Sequence, residues 1–342
     1  MRGPAADCVC FFDGRRNIRE KEMALKIRMK TRDWDFWTPL LLGDVKPEGI
    51  DLEVTRVQSL IDNVADDPEC EAAEMSLSRY AMRRNTGNDK NLVGIPFFIM
   101  RGFRNRCILT SVDSPITTLS QLKGKRIGLS GWQDSGNTWT RALLIEAGVP
   151  VDSIRWTLSR MTAADKVDPE RGKQFWDGKV VFHDPQETPL VDLLKAGKID
   201  AIFQAFMPAG YYGKDYGLRQ LQPDFVEQEK AWYGRSGFVP GIHILAMKKD
   251  FIEAHPEAPA ALCKALRASQ DMWLAKRRKY FESTPWLIAS LLEMARALPE
   301  DWDPVGLEPN RKMLDEFARQ QYLQKLTDVQ RDADFLFPYK TL

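Results

Sequence analysis

The chain of 342 residues contains no apolar run near the roughly 20 residues that a membrane-spanning helix needs, so no span is expected. Its five cysteines (Cys8, Cys10, Cys70, Cys107, Cys263) are odd in number and scattered, which argues against a disulfide framework and for reduced thiols in the cytoplasm. Cys8 and Cys10 have no partner pair at zinc-site spacing. Charge of either sign is balanced, 49 Lys and Arg against 48 Asp and Glu, leaving no field to favour nucleic acid or an acidic membrane as partner. No Walker loop is present and no G-x-G-x-x-G follows a strand, so neither nucleotide nor nicotinamide is implied. The three histidines (His183, His243, His255) are far apart, which makes metal catalysis the weaker expectation, although F-H-D-P-Q-E could lend His183 and Asp184 to an ion. No cofactor and no metal are expected. Residues 1–22 have a single apolar core, Val9 to Phe12, too short for a secretory signal. They read as an extension, with a cytoplasmic chain beginning its foldable part at Met23.

What is present is an ordinary globular composition, 44% hydrophobic and 28% charged, long enough for about two domains of roughly 150 residues. Strands are expected at Ala24–Lys30, Ile50–Val57, Ala73–Leu77, Ile95–Arg101 and Cys107–Val112, with a helix over Gln58–Ala65. A second α/β unit follows Pro115, with strands at Lys125–Leu129, Ile154–Thr157, Lys179–Phe182 and Ile199–Gln204. The segment W-Y-G-R-S-G-F-V-P-G-I-H-I-L-A-M, Trp232 to Met247, reads as a Gly/Pro turn running into a buried strand from Ile242. Helices at Pro259–Lys276, Trp286–Leu298 and Arg311–Lys325 then form a tail. Alternating strands and helices predict two α/β lobes with a cleft between them. Residues 23–111 and 207–342 would form a discontinuous first lobe and 112–206 the second, with His243 at the cleft edge.

Several stretches, in matching order from Met23 to the C-terminus, resemble the 4,5-dihydroxyphthalate decarboxylases. They are W-D-F-W-T-P-L-L-L-G-D-V-K-P-E-G-I-D-L (Trp34 to Leu52), E-M-S-L-S-R-Y (Glu74 to Tyr80), G-I-P-F-F (Gly94 to Phe98), F-R-N-R-C-I (Phe103 to Ile108) and G-F-V-P-G-I-H (Gly237 to His243). L-K-G-K-R-I-G-L (Leu122 to Leu129) and G-K-I-D-A (Gly197 to Ala201) are similar to segments found throughout the type II periplasmic-binding-protein fold. The resemblance implies that fold, and a cofactor-independent decarboxylase of a hydroxylated aromatic or heteroaromatic carboxylic acid. It departs at one place: the family's Arg and Thr after the Asp are Phe36 and Trp37 here. A solute-binding protein for a small organic anion shares the fold and is the alternative. A biosynthetic relative resembling thiamin pyrimidine precursor synthases lacks its cysteine cluster here.

Loss of CO2 from an arene carboxylate needs a proton donor at the ring carbon, cations or N–H groups for the carboxylate, and walls that exclude water. His243 is the expected acid, because histidine titrates near neutrality. Arg101, Arg104 and Arg106 follow a strand, and Arg104 is the expected carboxylate grip, with Arg101 as a further contact. Ser76 and Ser78, on alternate positions of a strand end, could bond substrate oxygens. In the second lobe the loop before a helix offers Trp132 for stacking and Gln133, Ser135 and Asn137 for hydrogen bonds at a helix N-terminus. Trp34, Asp35, Phe36 and Trp37 would form an aromatic lip. A small aromatic carboxylate is thus the expected partner, with neither membrane nor nucleic acid, and a homo-oligomer is compatible with the sequence.

Overall fold

The computed structural model describes residues 24–166 and 172–339. The expected extension, with Cys8 and Cys10, lies outside the described residues. Strands β1 (Leu25–Arg32), β2 (Ile50–Val57), β3 (Ala72–Ser76) and β4 (Leu92–Arg101) open a first sheet. The chain then builds a second sheet from β5 (Ile108–Ser111), β6 (Arg126–Leu129), β7 (Arg155–Leu158), β8 (Val181–His183), β9 (Ala201–Phe203) and β10 (Leu218–Gln220) before β11 (Gly241–Lys248) returns to the first. The orders are β2-β1-β3-β11-β4 and β10-β5-β9-β6-β7-β8. β1 runs parallel to β2 and β3, whereas β11 is antiparallel between β3 and β4.

Ten helices complete the described chain: α1 (Thr38–Leu41), α2 (Leu77–Thr86), α3 (Ser135–Glu146), α4 (Leu190–Lys195), α5 (Phe225–Ser236), α6 (Lys249–Ala254), α7 (Ala258–Lys279), α8 (Leu287–Ala297), α9 (Arg311–Leu323) and α10 (Ala333–Leu336). None of them is long and apolar enough to cross a membrane. The first sheet buries both faces, as the period of two in its strands requires. Ala73, Met75, Ile244 and Ala246 pack under Tyr80, Phe317 and Phe337 on one side. Ala72, Leu245 and Met247 pack under Trp37 and α7's Leu262 and Leu266 on the other. Ile127, Leu129, Trp156 and Phe203 form the core of the second lobe.

Helix α3 joins the lobes. Ser135 through Leu144 are all buried. Trp139 packs on Phe317 and donates its indole N–H to the Gly241 carbonyl at 2.9 Å. Gln324, just past α9, accepts from Arg141 Nε at 2.7 Å and donates to the Thr138 carbonyl at 2.9 Å.

Two expectations are corrected. Gln58–Ala65 is not helical: Asp62 is drawn to Arg79 and Arg83, and Asn63 caps a single 3-10 turn at Val64–Asp66 by accepting from Ala65 N. Trp232 to Ser236 is the last part of α5 rather than a turn, and Gly237, at φ 75°, ends that helix in the left-handed region.

Candidate functional site

β1 and β3 end side by side, and β11 begins against the end of β3, with His243 opposite Ser76. The pleat puts Glu74 and Ser76 on one face of β3. Glu74 is wholly buried and would be costly as a lone charge. Four donors compensate. Thr31 Oγ1 (2.7 Å), Arg32 N (2.9 Å) and Trp34 Nε1 (2.9 Å) donate to Oε2, and His243 Nδ1 lies 2.6 Å from Oε1. Burial alone would raise the Glu74 pKa, but the hydrogen bond from His243, with the Arg32 and Thr31 donors, holds it below the ordinary carboxylate range. Burial also wins at His243, pulling it below the ordinary histidine value against the opposing pull of Glu74. The nearby positive charge of Arg32 pushes it the same way. Both directions favour a carboxylate facing a neutral imidazole, whose Nδ1–H then donates to Glu74. A neutral His243 in this pairing keeps its lone pair at Nε2, so the proton it is expected to give has first to be acquired there.

Two helix N-termini meet beside this pair. Ser76 caps α2, and its hydroxyl lies 2.8 Å from that of Ser135, the first residue of α3. Ser135 Oγ also accepts from Ser78 N at 2.9 Å, and Arg79 pairs with Asp134 at 3.1 Å. The lobes thus touch directly, and the first-turn N–H groups of α3 provide positive potential there. Arg104 lies against the same turn. A Cβ on Gly136 would come within 2.7 Å of Arg104 Nη2, so glycine at 136 makes room for the guanidinium. Arg104 is 3% exposed, and its one hydrogen bond among the described residues is long, Nε to Thr140 Oγ1 at 3.5 Å. Burial pulls its pKa down, with no carboxylate in ion-pair range among the described residues.

The aromatic lip follows β1. Trp34 stacks on Phe36 with centroids 5.6 Å apart, and Phe36 meets Trp37 and Trp273 edge-on. From the second lobe, Phe206 approaches Trp34 at 6.3 Å and lies under the Arg32 guanidinium at 5.0 Å. Where the resembling family has an arginine, this chain has Phe36 in the middle of an aromatic stack.

Contacts link His243, Ser76 and Ser135, with Arg104 against the next residue, Gly136, and with Trp34 joined through Glu74 and Phe36 stacked on it. Other expected site residues lie elsewhere. Ser78 is in the first turn of α2, not on the strand, and its hydroxyl accepts from Gln321 Nε2 at 2.9 Å. Arg101 is bound to the Val239 and Pro304 carbonyls and to Asn310 Oδ1. Arg106 pairs with Glu229 at 3.2 Å. Trp132 is buried, edge-on to Trp156 and under the Arg141 guanidinium, so protein groups already occupy its ring. Asn137 is turned inward to the Gly131 carbonyl, and Gln133 is buried with Oε1 lacking a hydrogen bond among the described residues. Asp35 is exposed, 3.8 Å from Arg277. His183 stacks on Trp176 and bonds Glu187 at 2.7 Å. Glu74, Arg32 and Phe206 were not expected. For Glu74 the signal was available: a lone carboxylate in the fully buried run A-A-E-M-S must have partners.

No family model matches the sequence. The chain is 25% identical over 322 residues to 4,5-dihydroxyphthalate decarboxylase of Comamonas testosteroni, covering 92% of this chain and 96% of that protein. It is 26% identical over 198 residues to the Pseudomonas putida protein of the same name, covering 57% of this chain and 76% of that protein. These are the names the motifs pointed to. Among solved structures, the periplasmic aliphatic sulphonate binding protein SsuA from Escherichia coli matches with a TM-score of 0.55 at 15% identity, covering 91% of each chain. The fold is that of the periplasmic binding proteins, with two α/β lobes, as expected.

Proposed function

We propose that the protein releases CO2 from a hydroxylated aromatic carboxylic acid, with His243 carrying the proton. The observation that carries this reading is the buried Glu74–His243 pair beside two converging helix N-termini and Arg104. The two curated relatives named as decarboxylases support the class of reaction. Neutral His243 takes the proton of a ring hydroxyl at Nε2, and the resulting phenolate pushes its electron pair into the ring. The imidazolium then protonates the ring carbon that bears the carboxylate. The C–C bond breaks, its electrons restore the aromatic ring, and CO2 departs. The phenolate regains a proton from solvent, so one proton is consumed per CO2. Arg104 and the first-turn N–H groups of α3 hold the carboxylate, and they release it as its charge is lost. Trp34, Phe36 and Phe206 shield the ring from water. With Phe36 in place of a cation, the lip favours a ring with a single carboxylate at that end.

The test is CO2 release by the purified protein from a panel of hydroxybenzoates and hydroxyphthalates. Turnover on at least one acid is expected, with His243→Asn removing most of it while ligand affinity stays within about tenfold. The likeness in fold to a sulphonate-binding protein favours one competing reading, a solute receptor. Ligands that raise the melting temperature without any CO2 release would select that reading and retire the enzyme.

A further inference from the structure

We infer that Glu74 is a positioning residue that sets the tautomer of His243 and ties the aromatic lip to it. This rests on the proton-carrying role given to His243 above. The warrant is how the two carboxylate oxygens divide their donors. Oε2 accepts from Thr31 Oγ1, Arg32 N and Trp34 Nε1, three donors from the end of β1 and the loop after it. Oε1 is left for His243 Nδ1 at 2.6 Å. A carboxylate can only accept, so the imidazole must donate from Nδ1 and keep a lone pair on Nε2. Nε2 has no hydrogen bond to any described residue. The same carboxylate fixes the Trp34 indole, so the base and the wall of the site share one anchor.

Glutamine tests this because it keeps the shape and changes one donor. Three donors at the Oε2 position select the amide oxygen, which leaves the NH2 facing His243 Nδ1. The ring must then accept at Nδ1 and carry its proton on Nε2, where it can no longer take a proton from a hydroxyl. Imidazole 15N spectra of the ligand-free protein should show protonated Nδ1 in the wild type and protonated Nε2 in Glu74→Gln. The chain has three histidines, so His243→Asn identifies the signal by its loss. In turnover, kcat of Glu74→Gln should fall by about 10²- to 10⁴-fold with KM little changed. Glu74→Asp, still an acceptor at both oxygens, should keep the wild-type tautomer and more activity than the glutamine variant. A merely structural Glu74 would reverse that ranking, since aspartate is the worse fit. An unchanged tautomer in Glu74→Gln, or Nε2–H in the wild type, overturns the inference whatever the activity. A swapped tautomer in a protein that releases no CO2 from any acid upholds the positioning and sinks the decarboxylase reading.

Discussion

Arg101 and Arg104 sit three residues apart where the chain leaves the first sheet, and both are largely buried. Burial pulls both guanidinium groups down, Arg101 to about 10. They differ in what surrounds the charge. Arg101 binds two main-chain carbonyls and Asn310, and lies over the Phe98 ring at 4.4 Å. Among the described residues Arg104 has one long bond, to Thr140, and the space made by Gly136. A buried cation hydrogen-bonded through both terminal nitrogens holds a structure together, whereas one left nearly bare suits the anion-binding role proposed above. Burial alone would not have separated them.

The largest effect expected of this difference is on binding. Arg104→Ala should weaken the aromatic carboxylate by about 2 to 5 kcal/mol, a loss of about 30-fold to several thousand-fold in Kd. Isothermal titration with a non-reacting analogue would measure it, and unchanged affinity would place the carboxylate elsewhere. Arg104→Met should leave stability unchanged or raise it by about 1 to 3 kcal/mol, since it replaces an uncompensated buried charge with a side chain of similar volume. Arg101→Ala should do the opposite. It strands Asn310 Oδ1 and the Val239 carbonyl and empties the space over Phe98, costing about 3 kcal/mol in urea unfolding. Its ligand affinity, measured on the folded fraction, should match the wild type. If the two variants behave alike, the distinction between them fails.

The sequence made the strands legible because both sheets are buried on two faces: Ile242 to Met247 reads as an apolar run and is β11. It also marked F-R-N-R, but could not say which arginine was free. The partners of Arg101 lie 203 and 209 residues away, on Pro304 and Asn310, and no local pattern encodes that. Ser78 was misplaced for a nearby reason, since the strand stops at Ser76 and one residue of helix changes which way a side chain points. Helix α5 was hidden by Gly234 within F-V-E-Q-E-K-A-W-Y-G-R-S, where tertiary packing of Trp232 outweighs a poor helix former. Glu74 was visible as a motif letter, yet its meaning depends on four donors from β1, β11 and the lip.

The Glu74–His243 pair stands between the two arginines, a buried charge compensated in part by a neutral ring, and pH should expose this. His243 is held below its ordinary value in the fold, so as pH falls below about 6.5 the unfolded chain takes up a proton that the folded chain refuses. Stability should therefore drop from that point, at up to about 1.4 kcal/mol per pH unit from this one group. Glu74 is depressed too; its contribution is complete above the ordinary carboxylate range, near 4.3, and disappears as pH falls through the folded value. The two losses add, in successive windows. Melting temperatures from pH 8 to 3 should show both declines in the wild type, and His243→Asn should lack the first and show a smaller second, since the main support of the Glu74 carboxylate is gone. If the wild type is equally stable at pH 7 and pH 5 and the variant is not, the imidazole is charged in the fold. The pair would then be a buried ion pair, compensated as fully as Arg101, and His243 would begin the reaction as an acid.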